Sequence, residues 1–349
     1  MRNSQLHPLL ELTRGEIVES IHFGSIAVVD AHGSLIAWYG DPETVTFLRS
    51  TAKPFQAIPL IEYGGQAAYH LTPTEIALIC ASHSGTEEHM LVVRELQRKT
   101  GVAEFDLLCG VHSPYHEPTF ETMRQLGEQP TPNHNNCSGK HTGMLALARL
   151  RNWPTVDYLN PSHPVQQVIV QTFAEMCNLP AEQVQIGIDG CSAPNFAVPL
   201  RHAALAIARL CDPIGLPASR AAVCQIITTA VTKFPFMVAG PGRFDTCFME
   251  QTHGRILSKG GAEGYQGLGV FPSVLSPGSP ALGIAFKILD GDAKDRARPA
   301  VALEVLRQLD VLSTDELTAL SGFGPTRTLY NLRHLAIGQS RPCFQLKKG

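Results

Sequence analysis

Strand-like segments occur at both ends of this 349-residue sequence, and helical patterns occupy most of the chain between them. Near the N-terminus, the apolar runs 25–29 and 35–39 flank a short segment that contains Gly33, a pattern typical of a β-hairpin. Short runs bounded by glycine and proline return at 255–258, 268–271 and 281–289. We therefore predict an α+β fold in which the two ends of the chain form one antiparallel sheet, with a large helical insertion between them.

Apolar periodicity between residues 50 and 251 predicts a series of helices. The segment Thr72-Pro73-Thr74-Glu75 is typical of a capping box with proline in the first turn, so a helix should begin there. Further helices are predicted at 87–99, 140–152, 164–177, 199–211, 218–233 and 299–312. We treat residues 1–349 as a single α+β unit, with a sheet region at 14–49 and 252–349 and a helical region at 50–251.

Composition and charge exclude several classes of protein. Hydrophobic residues make up 44% of the chain and charged residues 17%, which favours a packed core over disorder. The formal net charge is −3 with both signs mixed, so no basic surface for nucleic acid or an anionic membrane is indicated. No apolar run approaches the roughly 18 residues of a membrane span, and the N-terminus has no apolar run typical of a signal peptide. We expect a cytoplasmic protein.

Ser50 and Lys53 form a Ser-x-x-Lys pattern directly before Pro54. Because proline is tolerated only in the first turn of a helix, a helix should begin near Ser50 or Thr51 and place both side chains on one face. A lysine whose pKa is lowered by burial or by nearby cations can accept the hydroxyl proton of the serine. Unpaired N–H groups at the helix start can bind an oxyanion. The same pattern also fits an ordinary N-cap serine followed by a surface lysine.

Two further segments carry hydroxyl or amine groups in polar surroundings. Ser82 lies in the segment 80–86, which by itself is typical of a solvated turn at the end of a helix, and Lys259 lies between a strand and Gly260-Gly261. Serine–lysine acyl-transfer enzymes of the β-lactamase and penicillin-binding type have an early Ser-x-x-Lys, a mid-chain serine and a late Lys-x-Gly strand. The order of Ser50 with Lys53, then Ser82, then Lys259 agrees with this plan.

The sequence indicates no chemical role for most of the nine cysteines, and we do not expect a disulfide framework. Cys137 and Cys191, however, each lie in a loop rich in glycine and other polar residues. Two thiolates, a nitrogen or oxygen ligand and a water would form an open zinc site. Ligand chemistry alone favours His141 or Asp189 as the third ligand, because an ammonium must first lose its proton. Free thiols or a Cys137–Cys191 disulfide are the alternatives.

The sequence resembles the rhizobial-type L-asparaginases of the asparaginase II family. The resemblance covers nearly the whole chain, except the last residues, and is carried by five motifs: Leu48-Arg49-Ser50-Thr51-Ala52-Lys53-Pro54, Cys80-Ala81-Ser82-His83-Ser84-Gly85, Asn136-Cys137-Ser138-Gly139-Lys140-His141-Thr142-Gly143, Gly187-Ile188-Asp189-Gly190-Cys191-Ser192-Ala193-Pro194 and Ser258-Lys259-Gly260-Gly261-Ala262-Glu263-Gly264.

This resemblance implies hydrolysis of L-asparagine to L-aspartate and ammonia by a homodimer with a serine β-lactamase- and glutaminase-like fold. It also implies two facing serine–lysine tandems, Ser50 with Lys53 and Ser82 with Lys259. The family's zinc ligands correspond to Cys137, Lys140 and Cys191, with Asp189 nearby, so Lys140 replaces His141 as the expected third ligand. Residues expected to contact the substrate are Arg49, His141, Asp189 and Gly260.

Several points stay open at this level. Either serine can be the nucleophile, and zinc is expected to orient the substrate rather than to supply the nucleophile. The alternatives are an L-glutaminase or another small-amide hydrolase of the same fold, a β-lactam-interacting serine enzyme, and, from a different class, a non-catalytic zinc or redox protein that uses Cys137 and Cys191.

Overall fold

A computed structural model describes residues 6–349 of the chain. Its strands are β1 (Pro8–Arg14), β2 (Ile17–Asp30), β3 (Leu35–Tyr39), β4 (Val45–Phe47), β5 (Gln185–Ile188), β6 (Pro194–Pro199), β7 (Ile256–Gly261), β8 (Tyr265–Val270), β9 (Leu282–Ile288), β10 (Arg327–Tyr330), β11 (Ala336–Pro342) and β12 (Lys347–Lys348).

The α-helices of the described part are α1 (Lys53–Glu62), α2 (Gly65–Ala68), α3 (Pro73–Ile79), α4 (Glu87–Thr100), α5 (Glu117–Leu126), α6 (Ser138–Leu150), α7 (Pro164–Cys177), α8 (Leu200–Cys211), α9 (Ala218–Lys233), α10 (Pro235–Val238), α11 (Phe244–Gln251), α12 (Arg298–Gln308) and α13 (Thr314–Ala319). A 3-10 helix at Arg49–Ala52 leads directly into α1.

The chain divides into two compact units, each made of segments that are distant in sequence. Unit 1 consists of the N-terminal segment up to Thr51, of Val198–Asp212 and of Gln251–Gly349. Unit 2 consists of Ala52–Ala197 and Pro213–Glu250. The unit boundary at residues 51–52 therefore falls within the 3-10 helix that precedes α1.

Unit 1 is built on an antiparallel sheet that combines strands from both ends of the chain. Its main path has the order β10-β11-β1-β2-β9-β8-β7, and β3 pairs with both β2 and β12. The pairing of β2 with β9 runs from Gly24 opposite Ile288 to Asp30 opposite Leu282. The hairpin formed by β2 and β3 has the position predicted for it. The α+β fold class is therefore confirmed, with an antiparallel sheet drawn from N- and C-terminal segments and helices inserted between them.

Small residues allow α8 to lie directly on this sheet. α8 packs against β2, β8 and β9, and a Cβ atom added to Gly283 of β9 would overlap the backbone carbonyl of Ala204. Gly269 of β8 is similarly close to the Cys211 sulfur. α12 packs against β8 and β11, and Arg298 of α12 reaches Gln266 of β8. Adjacent residues of a strand point to opposite faces, so the glycines of β8 face α8 and Gln266 faces α12.

Unit 2 is mainly helical. α1 packs against α6, α7 and α9, and α3 packs against α4, α6 and α9. Aromatic rings join α1, α7 and β6, with ring centroids of Phe55 and Phe173 5.6 Å apart and those of Phe173 and Phe196 4.9 Å apart. The capping box of α3 is present, because Thr72 and Glu75 exchange hydrogen bonds between side chain and backbone. The helix ends at Ile79, and the chain then continues without regular structure towards Ser82.

Element bounds agree closely with several of the predictions. α7 and α9 have the predicted bounds, and α4 ends one residue later than expected. Two further features concern the start of the sheet and the position of α8 in the chain. β1 begins at Pro8, before the start of the predicted sheet region, and α8 belongs to the unit that contains the sheet. The short strands β5 and β6, which pair antiparallel, were not predicted.

Candidate active site

The amine of Lys53 lies in a buried position in unit 2, among three oxygen atoms. The side chain is 1% exposed, and its Nζ lies 2.5 Å from the carbonyl oxygen of Ala81, 3.0 Å from Ser82 Oγ and 3.3 Å from the carbonyl oxygen of Asn136. An ammonium can donate one proton to each of these oxygens. A neutral amine can instead use its lone pair to accept the proton of the Ser82 hydroxyl.

The surroundings of Lys53 lower the pKa of its amine. Burial lowers the pKa of Lys53, because the charged form loses its hydration. The Cys137 sulfur opposes this effect and the Lys140 charge adds to it, so the net direction is downward. A buried amine with a lowered pKa, in contact with a serine hydroxyl, is the arrangement that makes an alcohol nucleophilic near neutral pH.

Ser82 is held in place by its own backbone. Its N–H donates to the carbonyl oxygen of Val238 at 2.8 Å, and its side chain is buried. The residues that precede it belong to α3, whose capped N-terminus fixes the start of the helix. Lys53 and Ser82 are 29 residues apart in the sequence, so the fold of unit 2 brings together one residue from each predicted tandem.

Cys137, Lys140 and Cys191 form a second buried cluster in unit 2. Lys140 Nζ lies 2.9 Å from Cys191 Sγ, and all three side chains are buried. A hydrogen bond with Cys191 holds the pKa of Cys137 well below its ordinary value and raises the pKa of Cys191. Burial alone would lower the pKa of Lys140, but the two sulfur atoms and Asp189 raise it overall. The hydrogen bond between Lys140 and Cys191 therefore ties the cluster together, and both cysteines are free of a disulfide.

The chemistry of this donor set fits a zinc ion. Two sulfur atoms and an amine nitrogen are ligands of the kind that zinc accepts, provided that the thiol and the ammonium lose their protons. Within residues 6–349, no group of three or more His, Cys, Asp or Glu side chains is placed to hold a metal ion. Lys140, whose Nζ lies beside Cys191 Sγ, is the third member of this cluster.

His141 is fully buried and makes a hydrogen bond with a neighbouring tyrosine. Tyr158 Oη accepts a hydrogen bond from the N–H of Leu108 at 3.0 Å and lies 2.6 Å from His141 Nδ1. A hydrogen bond therefore joins the phenol to the imidazole. Burial, followed by the charges of Lys140 and Lys53, holds the pKa of His141 well below its ordinary value. The Nε2 atom is buried and has no hydrogen-bond partner within the described residues.

Asp189 lies in a tight turn that also presents Cys191. Its N–H donates to the carbonyl oxygen of Ala193 at 2.9 Å, and its own carbonyl accepts from the N–H of Ser192. The N–H of Gly190 donates to Asp189 Oδ1 at 2.9 Å, and Asp189 Oδ2 lies 3.8 Å from Cys191 Sγ. This carboxylate is half-buried and lies beside the cysteine cluster, and its contact with a substrate stays a prediction.

Ser50 and Lys259 lie in segments of unit 1 that contact each other. Thr51 Oγ1 donates to the carbonyl oxygen of Lys259 at 2.9 Å, and a Cβ atom on Gly261 would overlap the Leu48 carbonyl. The segment that carries Ser50 therefore lies against β7 at the position of Lys259. The Lys259 side chain is 1% exposed, and its Nζ donates to the Gly260 carbonyl oxygen at 2.8 Å.

Arg49 and Gly260 also belong to this part of unit 1. Arg49 has a φ of 52°, a left-handed conformation that is uncommon for a residue with a side chain and is often found at functional sites. Its guanidinium lies 3.9 Å from a carboxylate oxygen of Glu263. Gly260 pairs with Gln266 in the ladder between β7 and β8.

Each unit thus holds one serine and one lysine of the predicted catalytic set. Unit 1 contains Ser50 and Lys259, and unit 2 contains Lys53 and Ser82. The predicted tandems, Ser50 with Lys53 and Ser82 with Lys259, each combine residues of both units and stay predictions. The role of the Asn136 carbonyl as a Lys53 acceptor was missed, although Asn136 belongs to a motif that the sequence indicated.

Comparison with known proteins identifies the class and the family. The model of the L-asparaginase II family matches residues 10–342. No curated protein matched the sequence. Among solved structures, a probable glutaminase from Bacillus subtilis complexed with 6-diazo-5-oxo-L-norleucine is 14% identical, over 82% of this chain and 84% of that chain, with a TM-score of 0.37. A protein named Mglu is 17% identical, over 84% of this chain and 69% of that one, with a TM-score of 0.35.

The chain is therefore an amidohydrolase. It belongs to the L-asparaginase II family, whose model covers nearly its whole length, and the resemblance found in the sequence is confirmed. Membership of an enzyme family argues against the alternative that the chain is a non-catalytic zinc or redox protein. None of the helices within residues 6–349 has both the length and the apolar character that crossing a membrane requires.

Proposed function

We propose that this amidohydrolase converts L-asparagine to L-aspartate and ammonia through a covalent acyl-enzyme on a serine. The observation that carries the proposal is the buried contact of 3.0 Å between Lys53 Nζ and Ser82 Oγ, together with membership of the L-asparaginase II family. The contact joins a hydroxyl to an amine whose protonated form burial disfavours.

In the proposed mechanism, a neutral lysine amine takes the hydroxyl proton while the serine oxygen bonds to the side-chain amide carbon of asparagine. Ser50, with Lys53 as its base, is the expected nucleophile, and backbone N–H groups near the start of α1 are the expected oxyanion donors. The C–N bond then breaks, and ammonia leaves with the proton relayed through Ser82 and Lys259. Water adds to the acyl ester, gives a proton back through the same groups, and releases aspartate and the free serine.

The contact between Lys53 and Ser82 supports a second assignment of the nucleophile. In that assignment Ser82 attacks the amide and Lys53 is its base, which needs no residue outside unit 2. Rapid acid quenching during turnover of asparagine, followed by peptide mass spectrometry, distinguishes the two. An aspartyl mass increase on the peptide with Ser50 supports the first assignment, and the same increase on the peptide with Ser82 supports the second.

We also propose that Cys137, Lys140 and Cys191 hold zinc. When bound, the zinc would supply a positive centre that orients the charged groups of the amino acid. The three side chains would supply the ligands, and Asp189, which lies beside Cys191, would contact the substrate's amino group. Elemental analysis should give about one zinc per chain in the wild type and loss of metal in the Cys137→Ala, Cys191→Ala double variant. A metal-free wild type would contradict the proposal whatever its activity.

The preferred amide is the finer part of the proposal. Asparagine and glutamine differ by one methylene, and a pocket discriminates at that level by only about 1–3 kcal/mol. Ammonia release should therefore be measured with both amino acids, on the wild type and on Ser50→Ala and Ser82→Ala. We expect kcat/KM to be about tenfold or more higher for asparagine. A preference for glutamine would identify a glutaminase, and no release from either amide would refute both activities.

Three other expectations are separable by simple measurements. A β-lactam-interacting serine enzyme would be labelled covalently by a fluorescent penicillin, and we expect no label. The homodimer that the resemblance implies would have twice the 37.8 kDa mass of the chain in light scattering. The expected cytoplasmic location can be checked by fractionation of the source cell.

A further inference from the structure

The segment that carries Ser82 is fixed to the rest of unit 2 through consecutive residues. The N–H of Ser82 donates to the carbonyl oxygen of Val238 at 2.8 Å. Ser84 Oγ donates to the carbonyl oxygen of Ala239 at 2.7 Å, and the Ser84 carbonyl accepts from the N–H of His116 at 2.9 Å. The residue between these two serines, His83, points into the interior and is fully buried.

Hydrogen bonds determine which nitrogen of His83 carries the proton. The N–H of Gly85 donates to His83 Nδ1 at 3.2 Å, so this nitrogen is the acceptor and the neutral ring has its proton on Nε2. His83 Nε2 lies 2.9 Å from Ser138 Oγ and therefore donates to it. The ring also stacks on that of His89, with centroids 5.2 Å apart and an angle of 22° between the planes. Both the position and the orientation of the imidazole are thus fixed.

The partner of His83 begins the helix that contains Lys140 of the cysteine cluster. Ser138 is the first residue of α6, directly after Cys137. Lys53 contacts both connected segments, since its Nζ reaches Ser82 Oγ and the carbonyl oxygen of Asn136. The hydrogen bond between His83 and Ser138 therefore joins the two segments between which the Lys53 amine lies.

We propose that His83 is a positioning residue for the reaction. Its hydrogen bond to Ser138 fixes the segment that carries Ser82 and so keeps Ser82 Oγ within hydrogen-bond distance of Lys53. The proposal rests on the proposed function, because positioning matters only if the Lys53–Ser82 couple takes part in amide hydrolysis. His83 touches neither the lysine nor the hydroxyl in any contact described, so it acts through Ser82 and Ser138. A misplacement of about 1 Å in such a couple costs about 100-fold in rate.

Two His83 variants separate the hydrogen bond from simple filling of space. In His83→Ala, kcat should fall by about 100-fold while KM changes by less than about threefold, because the catalytic couple and not the binding of substrate is disturbed. In His83→Gln, the side-chain amide can place an N–H near the former Nε2 position and donate to Ser138. We expect it to recover about tenfold or more of the lost kcat.

Ser138→Ala tests the other end of the hydrogen bond. Its kcat should fall by about as much as that of His83→Ala. The kcat of the His83→Ala, Ser138→Ala double variant should be little lower than that of either single variant, because all three variants remove the same hydrogen bond. Arg220→Ala is the matched control. It removes two hydrogen bonds to Glu62 elsewhere in unit 2, so it should lower the melting temperature without changing kcat. Losses that add in the double variant, or an equal loss of kcat in the control, would overturn the proposal.

A structural measurement tests the inference independently of turnover. Crystal structures of His83→Ala and His83→Gln should show the Lys53 Nζ to Ser82 Oγ separation increased beyond about 4 Å in the first and close to hydrogen-bond distance in the second. An unchanged separation in His83→Ala refutes the positioning role. Failure of the wild type to release ammonia refutes the proposed function instead, and the crystallographic result still decides the role of His83. If His83→Ala does not fold, Ser138→Ala provides the same comparison.

Discussion

Replacement of Lys53 by methionine removes the amine from the centre of the candidate site and keeps most of the side-chain volume. In the wild type, Nζ contacts the carbonyl oxygens of Ala81 and Asn136 and the hydroxyl of Ser82. Loss of a general base costs about 10²–10⁴-fold in rate. We expect kcat to fall by about 10³-fold, which corresponds to about 4 kcal/mol of transition-state stabilisation.

The effect of this change on stability should be smaller than its effect on catalysis. Each acceptor left without a donor costs about 1–3 kcal/mol, but the apolar methionine side chain is better suited to a buried position than an amine is. Because these effects oppose each other, we expect the free energy of unfolding to change by no more than about 3 kcal/mol. The variant should therefore be folded, and its circular dichroism should match that of the wild type.

Lys99→Met is the matched control for the loss of a lysine. Lys99 Nζ lies 2.9 Å from Glu75 Oε2 and 3.2 Å from the His70 carbonyl oxygen, in the same unit as Lys53. Its loss should lower stability but leave kcat unchanged. Continuous measurement of ammonia from asparagine, at saturating and at low concentrations, gives kcat and KM for both variants. If Lys53→Met keeps a kcat within about threefold of the wild type, Lys53 is not the base and the proposed mechanism is wrong.

Two further predictions concern stability. Burial lowers the pKa of His89 to about 4 from an ordinary 6.5, so between these values the unfolded chain binds a proton that the folded chain does not. The contribution of His89 to stability is complete above pH 6.5 and is lost as the pH falls to about 4, by about 3 kcal/mol in total. Urea unfolding at several pH values in this range should show this fall in the free energy of unfolding, and the fall should be smaller in His89→Gln. An equal pH dependence in that variant would show that His89 is not its source. The titratable groups that face His89 are His83, Glu88, His116 and Arg243. Gly283→Ala should lower the free energy of unfolding by about 1–3 kcal/mol, because the new methyl group overlaps α8. Gly322→Ala is the control: the space at that position is open, so the free energy of unfolding should change by less than about 0.5 kcal/mol. Equal effects of the two changes would mean that α8 shifts to accommodate the methyl group.

Local sequence signals predicted the bounds of helices accurately where a proline and the apolar periodicity indicate the same helix start. α7 begins at Pro164 and ends where predicted, and α9 also has the predicted bounds. β1 was missed because its buried and exposed positions do not alternate regularly, and because one of its two partner strands, β11, lies at the far end of the chain. Pairing of strands so distant in sequence is set by the packed core and not by local preference.

The candidate site shows the same division between local and distant information. The sequence motifs named the chemical groups, and spacing alone joined Ser50 to Lys53. The contact of Lys53 with Ser82 links residues that only the packing of α1 and α3 within unit 2 brings together. The hydrogen bond from His83 to Ser138 was not predicted either, because neither residue type is unusual and 55 positions separate them.

The sheet of unit 1 also sets a condition on how the protein is made. β2 needs β9 as a neighbour, yet about 250 residues separate the paired positions Asp30 and Leu282. At ribosomal speeds of about 5–20 residues per second, β9 is synthesised roughly 10–50 s after β2, and the edge of β2 stays unpaired on that side until then. During that interval its unpaired N–H and C=O groups are open to strands of other nascent chains. Yield in a host cell should therefore depend on chaperone capacity and growth temperature more than on the stability of the finished fold.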